Sequence, residues 1–330
     1  MTITMQEIAD RAGVSRPVVC SVLGGHTTCR CSKEKREEIL ALVRKLGYQP
    51  NLQARRLRQG RTRTVGILFA SFRDRIIGDL TLGIHRGLIR RGYTSILCIW
   101  ESREEMAGAY RNAVANRVDG VITCDYHGEW LPKGLPVMVY GNAPEGVDCI
   151  RIKYRPAFSE ALSHLCALGH RRFGFIGPEG PRHNELLAAI AAAGLPAPAF
   201  HAGPGYMETG AEGMAAFASL GECPTAVFCQ NDGVAMAACG EAARRGMAVG
   251  RDISVVGLDD TLESRLVFPA LATIDTFVAD KADKMVDMLV ARMANPDQPP
   301  VQLEMTAKFI PRASIGPCAK GRGTRSGERK

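Results

Sequence analysis

The chain has 330 residues, of which 46% are hydrophobic and 23% charged, and it carries a formal net charge of +8. That is room for about two to three domains with sizeable cores, and it excludes a disordered or fibrous chain. The N-terminus has no apolar signal core and no run of about 18 uncharged apolar residues occurs, so a soluble cytoplasmic protein with no membrane contact is expected.

Thr4-Met5-Gln6-Glu7 has the form of a capping box, in which Thr4 and Glu7 satisfy each other's backbone amides, and it predicts a helix from Met5. Ile8, Ala9 and Ala12 give that helix an apolar face and Gly13 ends it. Ser15 is placed to cap a second helix, with Pro17 in the first turn where its missing N–H costs nothing. Val14, Val18, Val19, Val22 and Leu23 form its buried side. A third helix, Ser32 through Leu46, turns Ile39, Leu40, Val43 and Leu46 inward and stops at Gly47. Helix, short glycine-containing turn and second helix make a helix-turn-helix.

After a break at Pro50-Asn51, residues 52–58 (LQARRLR) form a basic, helix-competent segment ending at Gly60. It is too short to be stable alone and would order only against a partner, for which DNA and the same segment of a second subunit are candidates. From Thr64 onward short apolar runs alternate with helical stretches: 65–70, 95–100, 120–124, 136–140, 173–177, 225–229 and 253–257. Strands so spaced predict parallel sheets covered on both faces, in two doubly wound halves with a ligand cleft at the strand carboxyl ends.

Charge divides along the same lines. Residues 1–63 hold 13 Lys/Arg against 5 Asp/Glu, a net +8, while 64–311 carry a net −5 and 312–330 a net +5. A basic head on a mildly acidic body is the footprint of a nucleic-acid-binding module joined to a part that need not touch nucleic acid. Enzyme signatures are missing: there is no G-x-G-x-x-G after the first strand, no phosphate-binding G-x-x-x-x-G-K-[ST] loop and no G-x-S-x-G elbow. No catalytic residue, cofactor or metal is expected. The seven histidines lack ligand spacing, and Cys29 and Cys31 lack a second pair, so the eleven cysteines read as thiols in a reducing compartment.

IADRAGVS (8–15), LGYQPN (46–51) and ARRLRQGRTRTVGIL (54–68), followed in order by LGHRRFGFIG (168–177), PTAVFCQNDGVAM (224–236) and DISVVGLDD (252–260), resemble the lactose-repressor/galactose-repressor (LacI/GalR) family. The resemblance covers nearly the whole chain. It implies a multidomain α and α/β architecture: a three-helix, lambda-repressor-like DNA-binding domain over 1–49, a hinge helix over 50–62, and a two-lobed, periplasmic-binding-protein-like effector-binding and dimerisation domain over 63–315. A basic disordered tail is expected over 316–330. It further implies a homodimeric repressor of carbohydrate-type metabolism, whose affinity for a near-palindromic operator is set by a sugar or sugar derivative. The alternatives are a small-molecule-binding protein with a degenerate head and an effector-independent regulator.

The residues expected against DNA are Thr4, Ser15, Arg16, Pro17, Ser21 and Arg30 of the head and Asn51, Ala54, Arg55 and Leu57 of the hinge, with Leu57 wedging a central base step. The family's usual Thr-Val-Ser-Arg run is Val18-Val19-Cys20-Ser21 here. The missing arginine removes a bidentate reader of guanine worth about 1–3 kcal/mol, so an operator unlike the usual half-site is expected. In the body the resemblance points to Arg182, Asn231, Asp232 and Asp259 as effector-binding groups. Lys153 stands in CIRIKYRPAF (149–158), where the family has an Asp-Asn pair; with Arg182 and Arg73 it suggests an anionic or phosphorylated effector. A cleft that has lost ligand binding is the alternative.

Overall fold

The computed structural model describes residues 3–24, 31–48 and 61–318, and it divides into two units, Met1–Thr62 and Arg63–Lys330. Arg30, Asn51, Ala54, Arg55 and Leu57 lie outside the described residues, as do Cys29 and residues 319–330.

In the first unit α1 (Met5–Arg11) opens on the capping box: the Thr4 amide donates to Glu7 Oε2 at 2.7 Å and the Glu7 amide donates to Thr4 Oγ1 at 3.2 Å. Gly13 follows at φ +62°, where a side chain would be strained, and turns the chain into α2 (Arg16–Leu23). Ser15 occupies the cap position of α2, but its side chain makes no capping bond, contrary to expectation. Of the two amides that a cap can receive, Pro17 has none and Val18 donates to the Ser15 backbone carbonyl at 2.9 Å. Ser32 does cap α3 (Lys33–Lys45), accepting from the Lys35 amide at 3.2 Å. Ile8, Ala9, Ala12, Val19, Val22 and Ile39 close a core between the three helices.

The second unit begins with β1 (Thr64–Ala70), α4 (Arg75–Arg90), β2 (Thr94–Trp100), α5 (Arg103–Ala115), β3 (Gly120–Thr123), β4 (Val137–Tyr140) and β5 (Asp148–Lys153). The chain then builds a second lobe from α6 (Arg155–Ala167), β6 (Phe173–Ile176), α7 (Pro181–Ala192), β7 (Ala199–His201), α8 (Met207–Ala218), β8 (Ala226–Cys229), α9 (Asp232–Arg244), β9 (Ser254–Val256), α10 (Leu262–Leu266) and β10 (Thr273–Asp275). It returns to the first lobe with α11 (Val278–Ala294) and β11 (Gln302–Thr306), then crosses again for β12 (Lys308–Ile310).

The first-lobe sheet has the order β11-β5-β4-β3-β1-β2 and the second-lobe sheet β7-β6-β8-β9, all parallel, with β10 and β12 as an antiparallel pair. Alternation along β1 explains the two covered faces: Val65, Ile67 and Phe69 pack on Leu80, Ile84 and Leu88 of α4 and on α11, while Leu68 packs with Tyr110 and Ala113 of α5. The seven apolar runs each contain a strand. Strands β5, β7, β10, β11 and β12 were not among them.

In the second lobe α8 and α9 approach almost backbone to backbone. A Cβ on Gly210 would lie 2.1 Å from the Val234 carbonyl oxygen and 3.0 Å from Ala237 Cβ, so only glycine allows that spacing. Gly210→Ala is expected to lower stability by about 1–3 kcal/mol in urea unfolding, because the helices must separate. Gly221→Ala, at a site with nothing within 4 Å, should stay within about 0.5 kcal/mol.

Candidate functional site

On the first unit, α2 seals Val19 and Val22 in the core and leaves Arg16, Pro17 and Cys20 exposed, with Ser21 half-buried. Thr4 is exposed at the start of α1, its hydroxyl already engaged with Glu7. Thr4, Arg16, Pro17 and Ser21 are therefore accessible on a scaffold whose other side is packed.

On the second unit, a cleft runs along the carboxyl ends of both sheets. Its larger part, about 1050 Å³, lies over the ends of β4, β5 and β11 and the β6–α7 turn, and is lined by Tyr140, Lys153, Tyr154, Arg155, Arg182 and Glu185 among others. Its smaller part, about 420 Å³, lies at the ends of β1, β2 and β3 and is lined by Trp100, Glu101, Arg103, Asp125, His127 and Tyr206 among others. The β1–α4 turn serves both, giving Ser71 to the smaller part and Asp74 to the larger.

Arg182 stands in the first turn of α7. Its Nη1 donates to the Gln230 carbonyl at 2.7 Å and to Asp259 Oδ2 at 3.2 Å, and its Nη2 donates to Asp259 Oδ1 at 3.0 Å. The Arg182 side chain is 12% exposed and that of Asp259 0%. Asp259 also accepts from Thr276 Oγ1 at 3.2 Å. The Tyr154 ring lies 5.6 Å from the guanidinium, and the buried Lys281 ammonium donates to Tyr140 Oη at 3.1 Å. Burial opposes the charge on Arg182, but Asp259 and the two phenols outweigh it and hold the group well above its ordinary value. Burial pushes Lys281 down and Asp74 up.

Asn231 caps α9, accepting from the Val234 amide at 2.8 Å, while its Nδ2 donates to Gly205 O at 3.0 Å and to Asp74 Oδ2 across the lobes at 3.3 Å. Its polar atoms bind the two lobes to each other. Asp232 needs a correction: its carboxylate is fully buried inside the second lobe, accepting from the Thr261 amide at 2.7 Å, Thr261 Oγ1 at 3.0 Å and Thr273 Oγ1 at 2.6 Å. The anion-binding trio is also not assembled. Arg73 lies at 5.0 Å over the ring of Tyr206, a residue of the smaller part, whereas Lys153 and Arg182 line the larger. Lys153 pairs with Glu304 at 2.5 Å, and Glu185 holds Arg155 at 2.9 Å. Sequence reasoning missed Trp100, Asp125, His127, Tyr140, Tyr154, Tyr206 and Lys281; of these Trp100 and Tyr140 end runs that were read only as strands, and Tyr154 fell in the segment around Lys153. Among the described residues no group of three His, Cys, Asp or Glu is placed to hold a metal, and no helix is long and apolar enough to cross a membrane.

The profile of bacterial regulatory proteins, lacI family, matches residues 4–51, and that of the periplasmic binding protein-like domain matches residues 162–315. The HTH-type transcriptional repressor PurR of Escherichia coli O139:H28 is 28% identical over 331 residues, 94% of this chain and 96% of the relative. The fold is similar to that of the lac repressor dimer bound to operator and the anti-inducer ONPF (TM-score 0.86, 22% identity, 95% of this chain and 99% of that one). It is also similar to the transcriptional regulator CelR in complex with cellobiose (TM-score 0.71, 24% identity, 94% and 99%).

Burial pushes the Asp232 carboxyl up to about 7 from the ordinary 3.8, against three hydrogen bonds that favour the anion. The folded chain then holds this proton more tightly than the unfolded one, so the contribution to stability is full below 3.8 and is lost as pH rises through 7. Asp232→Asn, which cannot ionise, should gain in urea midpoint relative to the parent between about pH 5 and about pH 8. Parallel curves would show that Asp232 does not titrate there.

Proposed function

The chain belongs to the LacI family of bacterial regulatory proteins, and from that premise we propose that it is a DNA-binding transcriptional repressor whose hold on its operator is set by a small molecule in the interlobe cleft. The observation that carries this reading is α2: one helix presents Arg16, Pro17 and Cys20 outward while Val19 and Val22 anchor it in a three-helix core. That is how a recognition helix is held for the major groove. The absence of an arginine at Ser21 supports a half-site other than the family's usual one.

A second copy of the chain is the proposed partner of the body. Among the described residues β2 is the last strand of its sheet, and it exposes Leu97 and Ile99, while the second lobe exposes Leu262, Leu266 and Phe268. Such a surface is covered in an oligomer or invites aggregation. Two heads on a twofold axis match a near-palindromic site. The effector is proposed to be a sugar or sugar derivative, a reading supported by CelR, a regulator of the same fold seen with cellobiose. The relatives are repressors, and no catalytic role is proposed.

Sites selected from random duplexes by the full-length protein test this reading by fluorescence anisotropy. A near-palindrome should bind about 10³-fold or more above scrambled DNA, with log affinity falling steeply and linearly with log salt. Equal affinity for both duplexes would sink it.

A further inference from the structure

We propose that the smaller part of the cleft is the effector's seat and that it selects a monosaccharide-sized ring carrying hydroxyls and a protonated amine; the proposal rests on the effector reading above. The larger part is poorly suited to this task. Lys153, Arg155 and Arg182 each already hold a carboxylate there, at 2.5, 2.9 and 3.0 Å, and Arg151 donates to Gln302 Oε1 at 2.7 Å, so most of the lining cations are already engaged.

The smaller part lies where β1 has β2 on one side and β3 on the other, with α4 and α5 leaving to opposite faces of the sheet. That is the crevice in which doubly wound sheets bind ligands. Its walls are aromatic and acidic. Trp100, His127 and Tyr206 line it, with His127 fixed by stacking on Trp130 at 4.3 Å and Tyr206 covered by the Arg73 guanidinium at 5.0 Å. Ring C–H faces pack on such walls, and a cationic substituent is attracted to the ring faces that Arg73 does not cover.

Glu101 and Asp125 line the same cavity, and ionised carboxylates only accept hydrogen bonds, so the ligand must donate. Glu105 and Glu129 stand just behind: Glu105 accepts from the Glu101 amide at 2.7 Å, and Glu129 lies 2.9 Å from His127 Nδ1. Arg103 is the lining cation among the described residues. With Arg73 over Tyr206 there are two guanidinium groups against four carboxylates, Glu101, Glu105, Asp125 and Glu129, a balance that disfavours a phosphate or acid and draws an ammonium into charge-assisted bonds. Tyr206 comes from the second lobe and the other named lining groups from the first. A ligand held here touches both lobes and has a different affinity for their open and closed arrangements, as an effector must.

Calorimetry of the full-length protein against glucosamine, galactosamine and mannosamine, their neutral parents and the corresponding 6-phosphates tests this. At least one amino sugar should bind about tenfold or more tighter than its parent, and the phosphates should not bind. Asp125→Asn, at an exposed position, should bring the amine-to-parent ratio near one, and Tyr206→Ala should weaken both together. The proposal is overturned if a parent or phosphate binds as tightly as its amine, if Asp125→Asn leaves the ratio unchanged, or if no amino sugar saturates at millimolar concentration. Operator release by a neutral or anionic ligand that ignores both substitutions would remove the seat while leaving effector control intact. Lack of specific operator binding is instead a failure of the earlier reading.

Discussion

The arrangement of the body depends on the ion pair between Arg182 and Asp259. Asp259 sits at φ 108°, a conformation that costs a non-glycine residue about 1–3 kcal/mol, and it is held there by two guanidinium bonds and the Thr276 hydroxyl. Through Arg182 the same pair takes in the Gln230 carbonyl after β8, so the ends of β6, β8, β9 and β10 are drawn to one point. Tyr154, at the crossing between lobes, stacks on the guanidinium, and Tyr140 brings in Lys281 from α11. A buried pair adds little net stability over an apolar substitute, but loss of one partner leaves the other charge without water or counterion.

This constraint explains how the cleft divides. Groups that a sugar or an anion could have used are consumed in the protein's own network: Arg182 on Asp259, Asn231 on Asp74 and Gly205, Asp232 on Thr261 and Thr273. What stays accessible at the ends of β1, β2 and β3 is a cavity lined by carboxylates and aromatic rings. The excess of basic charge in residues 1–63 contrasts with that cavity, where Arg103 and Arg73 are outnumbered by carboxylates, in keeping with the two partners proposed, DNA for the head and a donor-rich small molecule for the body.

Much of this was legible in the sequence because it is local. The capping box, Gly13 and the strands of continuous Val, Ile and Phe write their structure in consecutive residues. Strands β5 and β11 lie outside the continuous apolar runs: Asp148–Lys153 carries three charged residues and Gln302–Thr306 only two apolar ones, and they are held as strands by pairing with each other and, for β5, with β4. Ser15 looked like a cap until Pro17 and the Val18 amide left it nothing to receive. The site was less legible still. A lysine in the first turn of an amphipathic helix reads as solvated, yet Lys281 is buried because the crossing after β10 aims it at Tyr140. Arg73, Lys153 and Arg182 looked like one cationic cluster, but the sequence does not show that Glu304 and Asp259 reach two of them and that the third lies over Tyr206.

The claim that Arg182 and Asp259 form the anchor of the body, and not a pair of groups waiting for a ligand, is tested most directly by a double-mutant cycle in urea unfolding. Asparagine tolerates the φ of Asp259, so Asp259→Asn reports on the pair. Arg182→Met and Asp259→Asn are each expected to cost about 3–5 kcal/mol and the double variant clearly less than their sum. Single variants within about 0.5 kcal/mol of the parent, with additive effects, would contradict it.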